Sequence, residues 1–310
     1  MYKRQGRAHF EAGRFDQALE TYKMAAMLTP ASISRLQNLA LMTFYAGDHA
    51  EAEKLLDRTV RLGLESKMFD AQSLVLLAFA RLELVDRKGL QRCEDDMLRL
   101  IDKAPGNARL SRLIGIVQTL NLILQGQFAR VVESVRALAG TVREPQFDFE
   151  SACNLVALLA QLAHKAIQLD EVDKTIYTLA CRFCSNRSLT ELLASSAAAY
   201  PPYAETIRAA QSQVLEYAET AMALSMSGNP TAAVKNLILH GRETLSSRLI
   251  DNAYQLLQKH TAKIPEALTL SAMVEELRAL TGPTVSRASL GEQKRPVSYT
   301  HLRAHETRHD

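Results

Sequence analysis

Apolar residues recur every three or four positions in two stretches that match each other 34 residues apart. GRFDQALETYKMAAMLTP (13–30) and GDHAEAEKLLDRTVRLGL (47–64) each open on a glycine and continue with helical periodicity. Gly13 corresponds to Gly47, Ala18 to Ala52 and Tyr22 to Leu56. Pro30 ends the first of these helices, because proline cannot continue the hydrogen-bond ladder. Ala18 and Ala52 are expected where paired helices approach most closely, since a large side chain there would overpack the contact. A self-match at this period predicts helix-turn-helix units that bury their apolar faces by stacking on neighbours.

The pattern continues with drift. Leu90, Cys93, Met97, Leu100 and Pro105 follow Phe15, Ala18, Tyr22, Ala25 and Pro30 at two periods plus seven residues, with the insertion expected as loop near Gly63–Asp70. Asn107 to Leu124 reads as a strongly apolar helix, and Gly126, Phe128, Val131, Val135 and Leu138 then resume the first unit's phase. VREPQFDFE (142–150) reads as a connector because Pro145 discourages helix before it. Beyond it, helices are expected near 151–168, 170–184, 203–226, 231–239, 242–259 and 264–281, with a short one from Ser188 through Ala199. Tyr200-Pro201-Pro202-Tyr203 and Gly228-Asn229-Pro230 read as breaks.

The glycine, small-residue and proline positions of the first two units resemble the tetratricopeptide repeat. That resemblance implies an all-α, right-handed superhelix of helical hairpins that presents a surface to another protein or peptide and carries no cofactor. It also implies that the first helix of each unit lines the concave face. Gln37, Asn38, Thr43, Phe44 and Tyr45 are the candidates for that face in the second unit, and Phe44 is equally suited to packing between helices. SKMFDAQSLVLLAFARLELVDRKGLQRCEDD (66–96), QGQFARVVESVRAL (125–138) and RFCSNRSLTELL (182–193) further resemble the C-terminal helical half of proteobacterial response regulators. The implied role is the output or docking module of two-component signalling. A receiver needs a strand-borne Asp, an acidic pocket and a Lys in an alternating strand–helix domain; none occurs in this chain, so no phosphoacceptor is assigned.

Both ends stand apart from the body. Residues 1–5 and the eleven residues Val297 to Thr307 resemble the translation of a transposase sequencing adapter. The expected organisation is therefore an adapter scar (1–5), tetratricopeptide-like repeats (6–141), a helical repeat-like extension (142–281), a flexible tail or linker (282–296) and an adapter-derived tail (297–310). The formal charge of +3 falls to +1 without 1–5 and 297–310, which hold four basic and two acidic residues. With no basic stripe, no nucleic-acid partner is expected. No apolar run approaches 18 residues, so no membrane span is expected. Four cysteines in no dense framework suit a reducing, cytoplasmic setting.

Candidate chemistry is sparse. Cys181 and Cys184 have redox or metal-ligand spacing but lack a second pair, and a packed helix face gives the same spacing. His9, His49, His164, His240 and His260 form no paired motif. Asp95-Asp96 and Glu275-Glu276 are adjacent, so on a helix they point in different directions. Arg182, Arg187 and the Pro-Pro-Tyr segment read as a connector before a recognition patch. No phosphate-loop, dinucleotide, nucleophile-elbow or zincin motif occurs. A non-catalytic scaffold is the expected function; the alternative is a helical enzyme whose site forms only in three dimensions, which convergence of Cys181, Cys184 and a histidine would favour.

Overall fold

The computed structural model describes residues 2–11, 14–66, 71–144, 147, 149–165, 170–184 and 201–281, and these contain helices and turns only. The helices are α1 (Tyr2–Glu11), α2 (Phe15–Leu28), α3 (Ile33–Tyr45), α4 (His49–Glu65), α5 (Ala71–Glu83), α6 (Arg87–Lys103), α7 (Ala108–Gln125), α8 (Phe128–Thr141), α9 (Phe149–His164) and α10 (Asp170–Arg182). Then follow α11 (Pro201–Met226), α12 (Pro230–Thr244), α13 (Ser247–His260), a 3₁₀ turn at Thr261–Lys263, and α14 (Ala267–Thr281). Gly13, the expected 188–199 helix and residues 282–310 lie outside the described residues.

The helices pair as the periodicity predicts. α1 packs on α2, α3 on α4, α5 on α6 and α7 on α8, while α2 also packs on α3, α4 on α5 and α6 on α7. First helices touch across pairs, α3 on α5, α5 on α7 and α7 on α9. The chain is thus an all-α stack of helix pairs, a tetratricopeptide-like solenoid. Ala18, Ala52 and Leu56 have no exposed surface and Tyr22 is buried. Pro30 follows the end of α2 and accepts a hydrogen bond from Arg58 at 3.1 Å, tying the first pair to α4.

A recurrent turn joins the two helices of a pair. Gly47, Val85, Gly126 and Gly228 all have positive φ, and each lies two residues before the next helix. In three of the four, the residue between caps that helix: Asp48 accepts from Glu51 N–H, Asp86 from Gly89 N–H and Asn229 from Ala232 N–H, at 2.9–3.1 Å. The left-handed conformation is cheap for glycine and costly for a β-branched residue. Val85 therefore marks the third turn without the residue that announces it. The turn also corrects the third unit's phase. Leu90, not Cys93, stands five residues after the turn residue, as Ala52 does after Gly47. A three-residue slip keeps the same helix face inward, so apolar spacing alone does not detect it.

Other boundaries moved for local reasons. α4 continues through buried Gly63 to Glu65, where a loop was expected from Gly63. The break expected between 239 and 242 falls instead at Leu245 and Ser246, where buried Leu245 is left-handed at φ 54°.

The core is one large cluster from Ala40 to Leu277, with a small separate cluster of Ala18, Tyr22, Ala26, Leu39 and Met42 under the first two pairs. Within the large cluster, buried Arg81 of α5 donates to Glu53 and Asp57 of α4 and to the Gly89 carbonyl of α6. Three helices share one cation there, and this pin replaces apolar packing at their junction.

Candidate protein-binding face

The five candidate residues on α3 divide into two groups. Thr43 is buried and spends its hydroxyl on the Leu39 carbonyl at 2.9 Å, so it presents nothing to a partner. Phe44 packs half-buried against the main core, its ring 4.8 Å from His49 and 6.2 Å from Tyr45. Gln37 and Asn38 are half-buried polar residues about two helical turns earlier. Tyr45 keeps 44% of its surface exposed. Its phenol is nevertheless pushed above the ordinary value by desolvation and then by nearby Cys153 of α9.

Cys153 lies on α9, three pairs further along, and its influence on Tyr45 shows how tightly the first helices close on one another. Gln72 of α5 and Asn154 of α9 exchange amide hydrogen bonds at 2.9 and 2.8 Å. Gln161 of α9 donates to Glu83 at the other end of α5. α9 therefore lies along α5 although α7 packs against both. Ten of the thirteen α5 residues are buried, against five of thirteen in α3. Packed by α4, α6 and α7 and hydrogen-bonded to α9, α5 offers little surface, while α3 retains partly exposed polar and aromatic side chains. The polar residues Gln72, Asn154 and Gln161, set in otherwise apolar helices, were the sequence signal for this closure. Nothing in their spacing said that they would meet each other.

Burial holds two of the cysteines in their thiol form. Burial pushes the Cys181 thiol up to about 12, and its sulfur points to the Ala210 carbonyl at 3.8 Å. Cys184 instead meets the Ser246 hydroxyl at 3.4 Å, so the two thiols serve different neighbours. Burial also raises Cys93 to about 11 despite the adjacent Arg81. A nucleophilic thiol needs the opposite shift. Among the described residues no three His, Cys, Asp or Glu side chains converge as a metal site, and no helix is long and apolar enough to cross a membrane. Arg182, considered with the connector, is wholly buried: it donates to the carbonyls of Val142, Phe147 and Leu280. It is a clamp, with no surface to offer.

No family model and no curated protein matches the chain. Among solved structures, the P58(IPK) TPR domain is similar at 14% identity over 90% of this chain and 89% of that one, with a TM-score of 0.29. The tetratricopeptide-like description rests on the pairing, turns and stacking above.

Proposed function

We propose that this chain is a non-catalytic protein-binding module whose docking face is centred on α3. The observation that carries this reading is the contrast between α5, ten of whose thirteen residues are buried, and α3, where Gln37 and Asn38 are half-buried and Tyr45 is exposed. Amides on a helix can hydrogen-bond an extended peptide backbone, and a tyrosine ring supplies area at low conformational cost. Selection of a displayed peptide library on the full chain is expected to enrich binders that lose at least about tenfold in affinity on N38A/Y45A, on the order of 1.4 kcal/mol. Failure to enrich, or binders indifferent to both substitutions, would sink the proposal.

We further infer that the stack is the docking half of a two-component response regulator. The resemblance of 66–96, 125–138 and 182–193 to that family supports this reading. Sequencing the source locus on both sides of the stretch encoding residues 6–296 tests it. An in-frame upstream receiver with its phosphoacceptor is expected; an unrelated upstream domain would leave the scaffold without the signalling role.

A further inference from the structure

The turn between α5 and α6 departs from its counterparts in ways that burden the fold. Val85 holds φ 57° where Gly47, Gly126 and Gly228 stand in the others, a conformation that a β-branched side chain reaches only with strain. Nothing inside the stack explains its retention. Val85 is 65% and its neighbour Leu84 42% exposed, and both lie outside the two core clusters. Arg87 and Lys88 then take the first two positions of α6, whose first turn holds no acidic residue. The same positions are His49–Ala50 in α4, Phe128–Ala129 in α8 and Pro230–Thr231 in α12. A helix N-terminus is the positive end of its dipole, so cations there are unfavourable. Both are exposed, and neither has an ion pair among the described residues.

Two carboxylates share this surface, and both are engaged. Asp86 caps α6 by accepting from the Gly89 N–H at 2.9 Å, and Glu83 accepts from Gln161 of α9. The next turn continues the apolar character. α7 packs on α5, which sets the ends of these two helices roughly 8–10 Å apart. There Phe128 is 54% exposed beside Arg130, which is itself exposed and donates to the Gln127 side chain at 2.8 Å. Isolated exposed apolar residues are ordinary. Here Leu84, Val85 and Phe128 share one edge of the stack with strain and with cations set against a helix dipole.

We propose that this edge docks an acidic segment of a partner protein, which seats a bulky apolar residue on Leu84 and Val85. Carboxylates of that segment would meet Arg87, Lys88 and the N–H end of α6. Features that weaken the free protein and stand on its surface fit a contact made only in a complex. The observations favour a peptide over an anionic membrane, because Glu83 and Asp86 stand among the apolar side chains. A membrane surface of like charge would repel both, whereas a peptide can place its own charges away from them. The edge shares no residue with the α3 face and does not depend on that proposal.

The test is selection of displayed random peptides of about twelve residues on the full chain. Labelled winners are then titrated by fluorescence anisotropy at about 0.15 M salt, where exposed charges are screened over roughly 8 Å. Winners with net negative charge and a large apolar residue are expected. Their affinity should fall about tenfold or more in R87E/K88E and about threefold or more in V85G. It should hold in K259E/K263E, which makes the same charge change on exposed residues elsewhere. R87E/K88E places acidic groups at a helix N-terminus and V85G relieves strain, so both variants should unfold at higher urea than the parent. Weaker binding by a more stable protein separates docking from a structural role. If no winner is sensitive to R87E/K88E and V85G, the proposal falls. Vesicles containing about 30% phosphatidylserine are the comparison; binding to them that is lost in R87E/K88E, without acidic peptide winners, would assign the edge to a membrane and also overturn it. Winners seated on the α3 face should lose affinity in N38A/Y45A and ignore R87E/K88E, so the two proposals fail separately.

Discussion

Val85 shows what a single residue can hide. Its turn has the shape of the turns at Gly47, Gly126 and Gly228, yet a β-branched side chain at φ 57° carries about 1–2 kcal/mol of strain. Replacing it by glycine removes the strain but adds backbone entropy to the unfolded chain, which offsets roughly 0.5–1 kcal/mol. V85G is therefore expected to stabilise by about 0.5–1 kcal/mol, read as a higher urea midpoint at unchanged slope. A lower midpoint would mean that the side chain, 65% exposed, makes a contact worth more than the strain. The thiols give a second prediction. Cys93 and Cys181 ionise at about 11 and 12 in the fold, against an ordinary 9.0. Above pH 9 the unfolded chain releases these protons first, so stability falls as pH rises toward those values. Arg182, lowered to about 10 from 12.5, opposes the trend above pH 10, because there the folded chain sheds its proton first. Urea midpoints between pH 8.5 and 10 should decline less in C93A/C181A than in the parent; an identical decline would refute the assignment.

At the scale of elements, helix existence was legible and helix junctions were less so. The positions five and nine residues after Gly47, Gly126 and Gly228 are apolar and buried (Ala52 and Leu56, Val131 and Val135, Ala233 and Leu237), so these pairs could be read from spacing. The third turn could not, because valine does not signal positive φ, and the bend at Leu245 is hidden for the same reason. Polar residues within apolar helices were legible only as exceptions. Gln72 and Asn154 make the point: the geometry that unites them, 82 residues apart, depends on the curvature of the whole stack. Truncating Gln72 strips the buried Asn154 amide of both these hydrogen bonds, costing about 1–3 kcal/mol. The double truncation Q72A/N154A should cost less than the sum, with a coupling of about 1 kcal/mol in a double-mutant cycle. Strict additivity would show that the pair adds nothing beyond its separate contacts.

For the whole molecule, sequence reading anticipated a stack of helix pairs and placed a candidate face on its second unit. Of that face, Gln37, Asn38 and Tyr45 remain accessible, Phe44 is shared with the core and Thr43 is buried. Thr43 was misplaced because a threonine on a helix can satisfy its hydroxyl on its own backbone, here at Leu39. Its polarity therefore says little about which way it faces.

The closure of α9 onto α5 also sets how the molecule should bear load. A solenoid whose units touch only their neighbours can peel one unit at a time. Here α2 and α3 rest largely on a small core of their own, whereas α5 and α9 are tied across 78 and 82 residues of chain, with α7 packed on both. Drawn out from its ends, the chain should first yield the opening helix pairs at low force. It should then hold until α5 through α9 give way together in a single long extension, as one block of five helices and not as beads released in turn.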